Sequence, residues 1–74
     1  MDVGSKIRYF RTKSNVTQNQ LAEKTDIKQS IISRYENGNI EPPLSRLKKI
    51  SKALEIDISD LLKEECLKWV NLYF

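Results

Sequence analysis

Seventy-four residues with a formal charge of +3, one cysteine (Cys66) and no histidine leave room for one small domain with a marginal core, exclude an internal disulfide and remove the usual ligands of a zinc site. No apolar run approaches the roughly 18 residues of a membrane span and no signal-peptide pattern is present, so a soluble, cytoplasmic setting is expected. The charge is uneven, with eleven Lys/Arg against five Asp/Glu in residues 1–54 and two against five in the last 20 residues. A basic body with an acidic end suits a protein that meets a polyanion with one side; the bland alternative is lysines that only keep a small domain soluble.

Val3, Ile7 and Phe10 stand at i, i+4 and i+7, which predicts a first helix over about 2–14 with one apolar stripe and with Arg8 and Arg11 pointing elsewhere. Asn15 ends it. Thr17-Gln18-Asn19-Gln20 fits a capping box, and Val16 with Leu21 completes a hydrophobic staple. Helix 2 is therefore expected over 18–25, burying Leu21 and Ala22. About three residues separate it from the next periodic segment, so the two helices must meet in a tight corner.

Helix 3, over about 29–37, buries Ile32 and stops at Asn37-Gly38, where Gly38 can take the left-handed conformation. Pro42-Pro43 then precedes helix 4, whose apolar spacing runs through Leu44, Leu47, Ile50, Ala53 and Leu54 with Arg46, Lys48, Lys49 and Lys52 outside. A short fifth helix is signalled by Asp57-Ile58-Ser59-Asp60, Asp57 capping and Ile56 with Leu61 stapling. Beyond Lys63 the apolar residues continue, three of the six aromatics falling in the last six positions. With no repeat and no strand-like alternation, the chain reads as all-α.

The stretch 27-IKQSIISRYENG-38 carries the chemistry. On a helix that buries Ile32, the side chains of Lys28, Gln29, Ser30, Ser33 and Arg34 can project from the solvent side. Glutamine matches adenine bidentately, arginine matches guanine, and serine adapts to either. A helix presented by a tight turn is the shape that enters a major groove. With no histidine, a lone cysteine and no glycine-rich phosphate loop, no catalytic constellation can be assembled.

Four segments taken together, 7-IRYFR-11, 17-TQNQLAEKT-25, 31-IISRYENG-38 and 44-LSRLKKISKALEIDISDLL-62, resemble the Cro/phage-repressor (XRE) type of helix-turn-helix regulator over roughly residues 4–62. The resemblance implies an all-α, compact five-helix, lambda-repressor-like DNA-binding domain over 1–62, followed by an extension over 63–74. It gives Gln29, Ser30 and Arg34 the base-facing positions, flanked by Lys28 and Ser33. Thr17 and Gln18 at the start of helix 2, and Asn37 with the amides of the following loop, Asn39 included, match phosphate-holding positions; for Thr17 and Gln18 a cap pair is the alternative, and for Lys28 a solvated charge. Arg11 and Glu36 match a partly buried ion pair joining helix 1 to helix 3. Tyr35 is expected to pack on helix 4, and Ile31 either touches a thymine methyl or is simply exposed.

Three positions depart from the family pattern. Asp26 stands where glycine is common in the turn, and Asp tolerates the left-handed region. Lys28 replaces the usual Ser/Thr cap, a loss of about 1 kcal/mol unless a phosphate compensates. Glu55 replaces a frequent glycine after helix 4, so that end is expected to close differently.

One recognition helix contacts too few base pairs for genomic specificity, so a homodimer on a roughly palindromic double-stranded DNA operator is expected. Leu62, Leu67, Trp69, Val70, Tyr73 and Phe74 are the candidate interface; folding back onto the monomer core is the alternative. The ending NLYF also resembles the remnant of a protease-cleavable tag, although Val70 stands where that tag has glutamate. The reading is a prokaryotic or phage-encoded transcriptional regulator, a repressor by preference, without cofactor, membrane contact or small-molecule ligand. Phage repressor, restriction-modification controller and antitoxin all fit. The competing class is a protein-interaction module with the same fold.

Overall fold

Four α-helices and one 3-10 turn succeed one another in the computed structural model, which describes residues 2–62. They are α1 (Val3–Lys13), α2 (Gln18–Thr25), α3 (Gln29–Glu36) and α4 (Leu44–Ala53), with the 3-10 turn at Ile58–Asp60. No strand occurs among the described residues, so the domain they form is all-α. The expected fifth helix is a correction: Asp57 occupies the cap position without a side-chain bond, and only one turn winds before Leu61 is buried.

Each helix start follows from its cap. The Asp2 carboxylate accepts from the Ser5 amide at 2.8 Å. At α2 the capping box is complete: the Gln20 amide donates to the Thr17 hydroxyl at 3.1 Å, and the Thr17 amide donates to the Gln20 side-chain oxygen at 2.9 Å. Lys28 and Pro43 begin α3 and α4 with no side-chain cap bond.

The four helix ends share one device. Asn15, Asp26 and Glu55 each have φ of 58° and Gly38 has 76°, so a single left-handed residue reverses the chain after every helix. The next amide then reaches back five residues, Val16 to Arg11 at 3.0 Å, Ile27 to Ala22 at 3.2 Å, Asn39 to Arg34 at 3.0 Å and Ile56 to Ser51 at 3.0 Å. This is the closure that satisfies orphan carbonyls and turns a following apolar side chain inward. Val16, Ile27 and Ile56 duly join the core or pack on its edge. The α4 end therefore closes like the other three, contrary to expectation, with glutamate held in a conformation that suits glycine.

The core gathers Val3, Ile7, Leu21, Ile32, Ile50 and Leu61 with their neighbours. α1 packs on α3, α2 on both α3 and α4, and the 3-10 turn on α4. Leu44 corrects the expected stripe: it is 56 % exposed at the first residue of α4, while Pro42 is the buried apolar residue at that end. Where α1 crosses α3 the backbones nearly touch. A Cβ on Gly4 would collide with the Tyr35 carbonyl oxygen and stand 2.9 Å from that of Glu36.

Two outcomes follow for chemical denaturation. Gly4→Ala should lower stability by about 1–3 kcal/mol through overpacking, despite the helix propensity that alanine adds; a variant as stable as the parent would mean that α1 can step away from α3. Glu55→Gly should raise stability by about 1 kcal/mol by removing the left-handed penalty on a residue with a Cβ. In a thermal melt that gain corresponds to a rise in Tm of about 4–8 °C for a domain of this size.

Candidate nucleic-acid interface

The exposed face of α3 is posed by a carboxylate that it buries. The Glu36 side chain is 0 % exposed, and that of Arg11 is 12 % exposed. Arg11 donates from Nε to Oε2 at 2.6 Å and from Nη2 to Oε1 at 3.0 Å, while its Nη1 donates to the Val16 carbonyl at 2.9 Å. One arginine thus ties α1 to the last residue of α3 and to the loop before α2. The expected Arg11–Glu36 pair is present, and more deeply enclosed than its family likeness implied.

Two further donors complete the site. Arg8 Nε reaches Glu36 Oε1 at 3.3 Å and Gln18 Nε2 reaches the same oxygen at 3.2 Å. Gln18 in turn accepts from Gln29 Nε2 at 2.6 Å. A chain of hydrogen bonds therefore runs from the buried carboxylate, through the first residue of α2, to the first residue of α3. On the other side Arg8 Nη2 donates to Asn37 Oδ1 at 2.8 Å, and Asn37 Nδ2 lies 3.4 Å from Ser33 Oγ. Among the described residues no buried side-chain polar atom lacks a partner.

The corner between the helices consists of Asp26, Ile27 and Lys28, with Asp26 left-handed (φ 58°, ψ 32°) and Ile27 buried. Burial of Ile32, Tyr35 and Glu36 on one side of α3 leaves Gln29, Ser30 and Arg34 exposed on the other, with Lys28 exposed beside them and Ser33 half-buried. Thr17 is exposed at the start of α2, and a shallow groove passes from it between Gln18, Asn19 and Gln29. Ile31 is half-buried against the core, so it is not simply a surface isoleucine.

Several expected positions are altered by their neighbours. The amides of Asn37, Gly38 and Asn39 donate to the carbonyls of Ser33, Tyr35 and Arg34 respectively, so these three amides close α3, while the side chains at 37 and 39 are exposed. The Tyr35 hydroxyl accepts from Arg46 Nη1 at 2.7 Å, joining α3 to α4. Leu62 packs against the core, and its carbonyl accepts from the buried Lys6. Leu67, Trp69, Val70, Tyr73 and Phe74 lie outside the described residues.

Arg8, Lys6 and Arg46 were not singled out by the sequence. For Arg8 a signal existed: it precedes Arg11 by three residues, and such pairs are neighbours on a helix surface. Lys6 and Arg46 had none, because their acceptors are 56 and 11 residues away.

Electrostatically, burial pushes the Glu36 carboxyl up, but the hydrogen bonds from Arg11 and Gln18, the Arg11 charge and the Arg8 bond together outweigh it and hold the group below the ordinary carboxylate range. It is therefore ionised at neutral pH.

The sequence pattern of a family described as helix-turn-helix matches residues 7–61. The chain is 38 % identical over 65 residues to the HTH-type transcriptional activator BcrR of Enterococcus faecalis, covering 88 % of this chain and 32 % of that protein. It is 37 % identical over 67 residues to the immunity repressor protein of Bacillus phage phi105, covering 90 % of this chain and 46 % of that one. It thus spans less than half the length of either. Control protein C.BamHI of Bacillus amyloliquefaciens is 42 % identical over 60 residues, 80 % of this chain and 74 % of that protein. Among solved structures, the restriction-modification controller protein C.AhdI from Aeromonas hydrophila matches with a TM-score of 0.78 at 27 % identity, over 81 % of this chain and 91 % of that one.

Because the folded state lowers the Glu36 pKa, its contribution to stability is fully present above the pKa of the unfolded chain and is lost as pH falls through the folded value. Glu36→Gln should remove that acid-limb dependence and destabilise by about 3 kcal/mol, since it leaves the Arg11 charge enclosed without its partner. Urea titrations of parent and variant across the acid range check this; parallel curves would deny Glu36 the role.

Proposed function

The chain belongs to the helix-turn-helix family, and on that premise we propose that it binds double-stranded DNA as a homodimer, reads an inverted-repeat operator in the major groove, and regulates transcription by occupying it. The observation that carries this reading is the division of α3. One side is buried on the ion-pair network, and the other offers Gln29, Ser30 and Arg34 to solvent, with Gln29 held by Gln18.

Each exposed group has a partner in duplex DNA. Arg34 suits the O6 and N7 acceptors of guanine, and Gln29 keeps its side-chain oxygen for the amino group of adenine while its nitrogen is turned to Gln18. Ser30, Ser33 and Lys28 adjust to base edges or phosphates beside them. Thr17, Gln18, Asn37 and Asn39 supply the phosphate contacts that fix register. The start of α3 supports the same reading. Lys28 offers no cap oxygen, so an anion arriving there would meet uncapped amides and a cation.

A single α3 covers only a few base pairs. Two copies related by a dyad would place their reading helices in successive major grooves about 34 Å apart, giving the operator its symmetry. The segment carrying Leu67, Trp69, Val70, Tyr73 and Phe74, at the acidic end of the sequence, is proposed as the contact between copies, with Leu62, itself packed on the core, leading into it. Activators and repressors both stand among the relatives; repression is the expected sign when the operator overlaps a promoter. Family and relatives are regulators, not enzymes.

Selection of bound duplexes from a random pool near physiological salt should enrich an inverted repeat with half-sites about one helical turn apart. A folded protein that enriches nothing would favour a protein partner for this surface. With the selected site in hand, Arg34→Ala should weaken specific binding by about 1–3 kcal/mol and relax preference at one position per half-site, with the fold unchanged. Parental affinity in that variant would sink the assignment.

A further inference from the structure

Two guanidiniums, those of Arg8 and Arg11, converge on the single carboxylate of Glu36, so the network holds one more positive charge than it neutralises. The two arginines are not equivalent. Arg11 is nearly enclosed and uses Nε, Nη1 and Nη2 on Glu36 and the Val16 carbonyl. Arg8 stands on the rim with its side chain 52 % exposed. Its Nε touches Glu36 and its Nη2 touches Asn37 Oδ1, while Nη1 donates to nothing among the described residues. A guanidinium offers five N–H donors in one plane. Two are engaged here and three are left, on the group that carries the unneutralised charge.

Arg8 also decides how Asn37 stands. An asparagine amide is assigned by its hydrogen bonds; with Oδ1 taken by Arg8 at 2.8 Å, the NH2 group turns to the side of Ser33, on the α3 surface. A donor pair is thereby assembled from two helices, the free edge of the Arg8 fork and the Asn37 amide, next to the end of the reading helix. Planar forks of this kind match phosphate oxygens bidentately.

Resting on the DNA-binding reading above, we infer that Arg8, on a helix that the sequence pattern leaves out of binding, is itself a phosphate ligand, and that Arg8 and Asn37 hold one DNA phosphate between them. Glu36 is the buttress of this clamp: it keeps the fork from swinging into solvent and leaves it one charge short of neutrality until the phosphate arrives. The same buried carboxylate then supports both kinds of contact, base reading through Gln18 and Gln29 and backbone holding through Arg8 and Asn37.

Equilibrium binding to a mixed-sequence duplex over a range of salt concentrations tests this with the full chain. For each phosphate that a variant no longer holds, the slope of log K against log salt becomes shallower by about 0.9, so Arg8→Met should lower the slope by that amount per bound protomer and weaken binding. Adding Asn37→Ala to Arg8→Met should cost little more than the larger single change, because both would be releasing the same phosphate. Should Arg8→Met fail to fold by circular dichroism, Arg8→Gln, neutral but still able to donate to Glu36, carries the same expectation. Weaker binding with an unchanged slope would reduce Arg8 to a residue that orients Asn37 and overturn the inference. So would losses in the double variant that multiply independently. A parent chain without salt-dependent duplex binding would remove the DNA reading itself, an outcome distinct from a binding parent whose slope the variants do not alter.

Discussion

A carboxylate with no solvent exposure must be matched from inside the protein, and that requirement at Glu36 organises much of this small domain. The matching groups are three residues on two helices: Arg11 and Arg8 on α1, and Gln18 at the head of α2. Desolvating the charges costs several kcal/mol, which an ion pair recovers only with good geometry and further hydrogen bonds. Here those bonds are present, and their benefit is directional. They fix the angle of α3 against α1 and the distance of α2 from α3, the two quantities that decide where an exposed side chain on α3 points.

The backbone serves the same end. α1 can bring its arginines to Glu36 only if it lies close to α3, and Gly4 permits that approach by having no Cβ at the crossing. One left-handed residue after each helix also reverses the chain, and at three of the four ends the next residue, Val16, Ile27 or Ile56, turns toward the core. A chain whose described part comprises four short helices has little apolar surface to bury in long packed faces. Sharp, hydrogen-bonded corners compensate by making three of the four helix ends contribute to the core.

Much of this is legible in the residues alone. The capping box at Thr17 and Gln20, the stop at Gly38 and the tolerance of Asp26 for the left-handed region are local properties, set by a side chain and the backbone within five residues of it. The stripes that bury Ile7, Leu21, Ile32 and Ile50 are local too, because helical periodicity is enough to write them. The departures share a cause. Leu44 keeps helical spacing but overhangs the end of the core; Asp57 has cap chemistry but only one turn follows; Glu55 lacks glycine's freedom yet takes its conformation, because Ile56 is drawn into the core beyond it.

The sequence by itself therefore determined the four α-helices, the tight corner between α2 and α3, the identity of the residues offered by α3 and the Arg11–Glu36 pair carried by family likeness. Tertiary structure alone decided what surrounds that pair. That Arg8 shares Glu36 and grips Asn37, that Gln18 hands the carboxylate's hold on to Gln29, and that Lys6 meets the carbonyl of Leu62 are contacts between residues 11 to 56 positions apart. Most of them depend on how closely and at what angle helices cross. Periodicity specifies which face of a helix is buried, but not which side chain on a neighbouring helix will lie within 3 Å of it, and that distance is what turns a set of polar residues into a site.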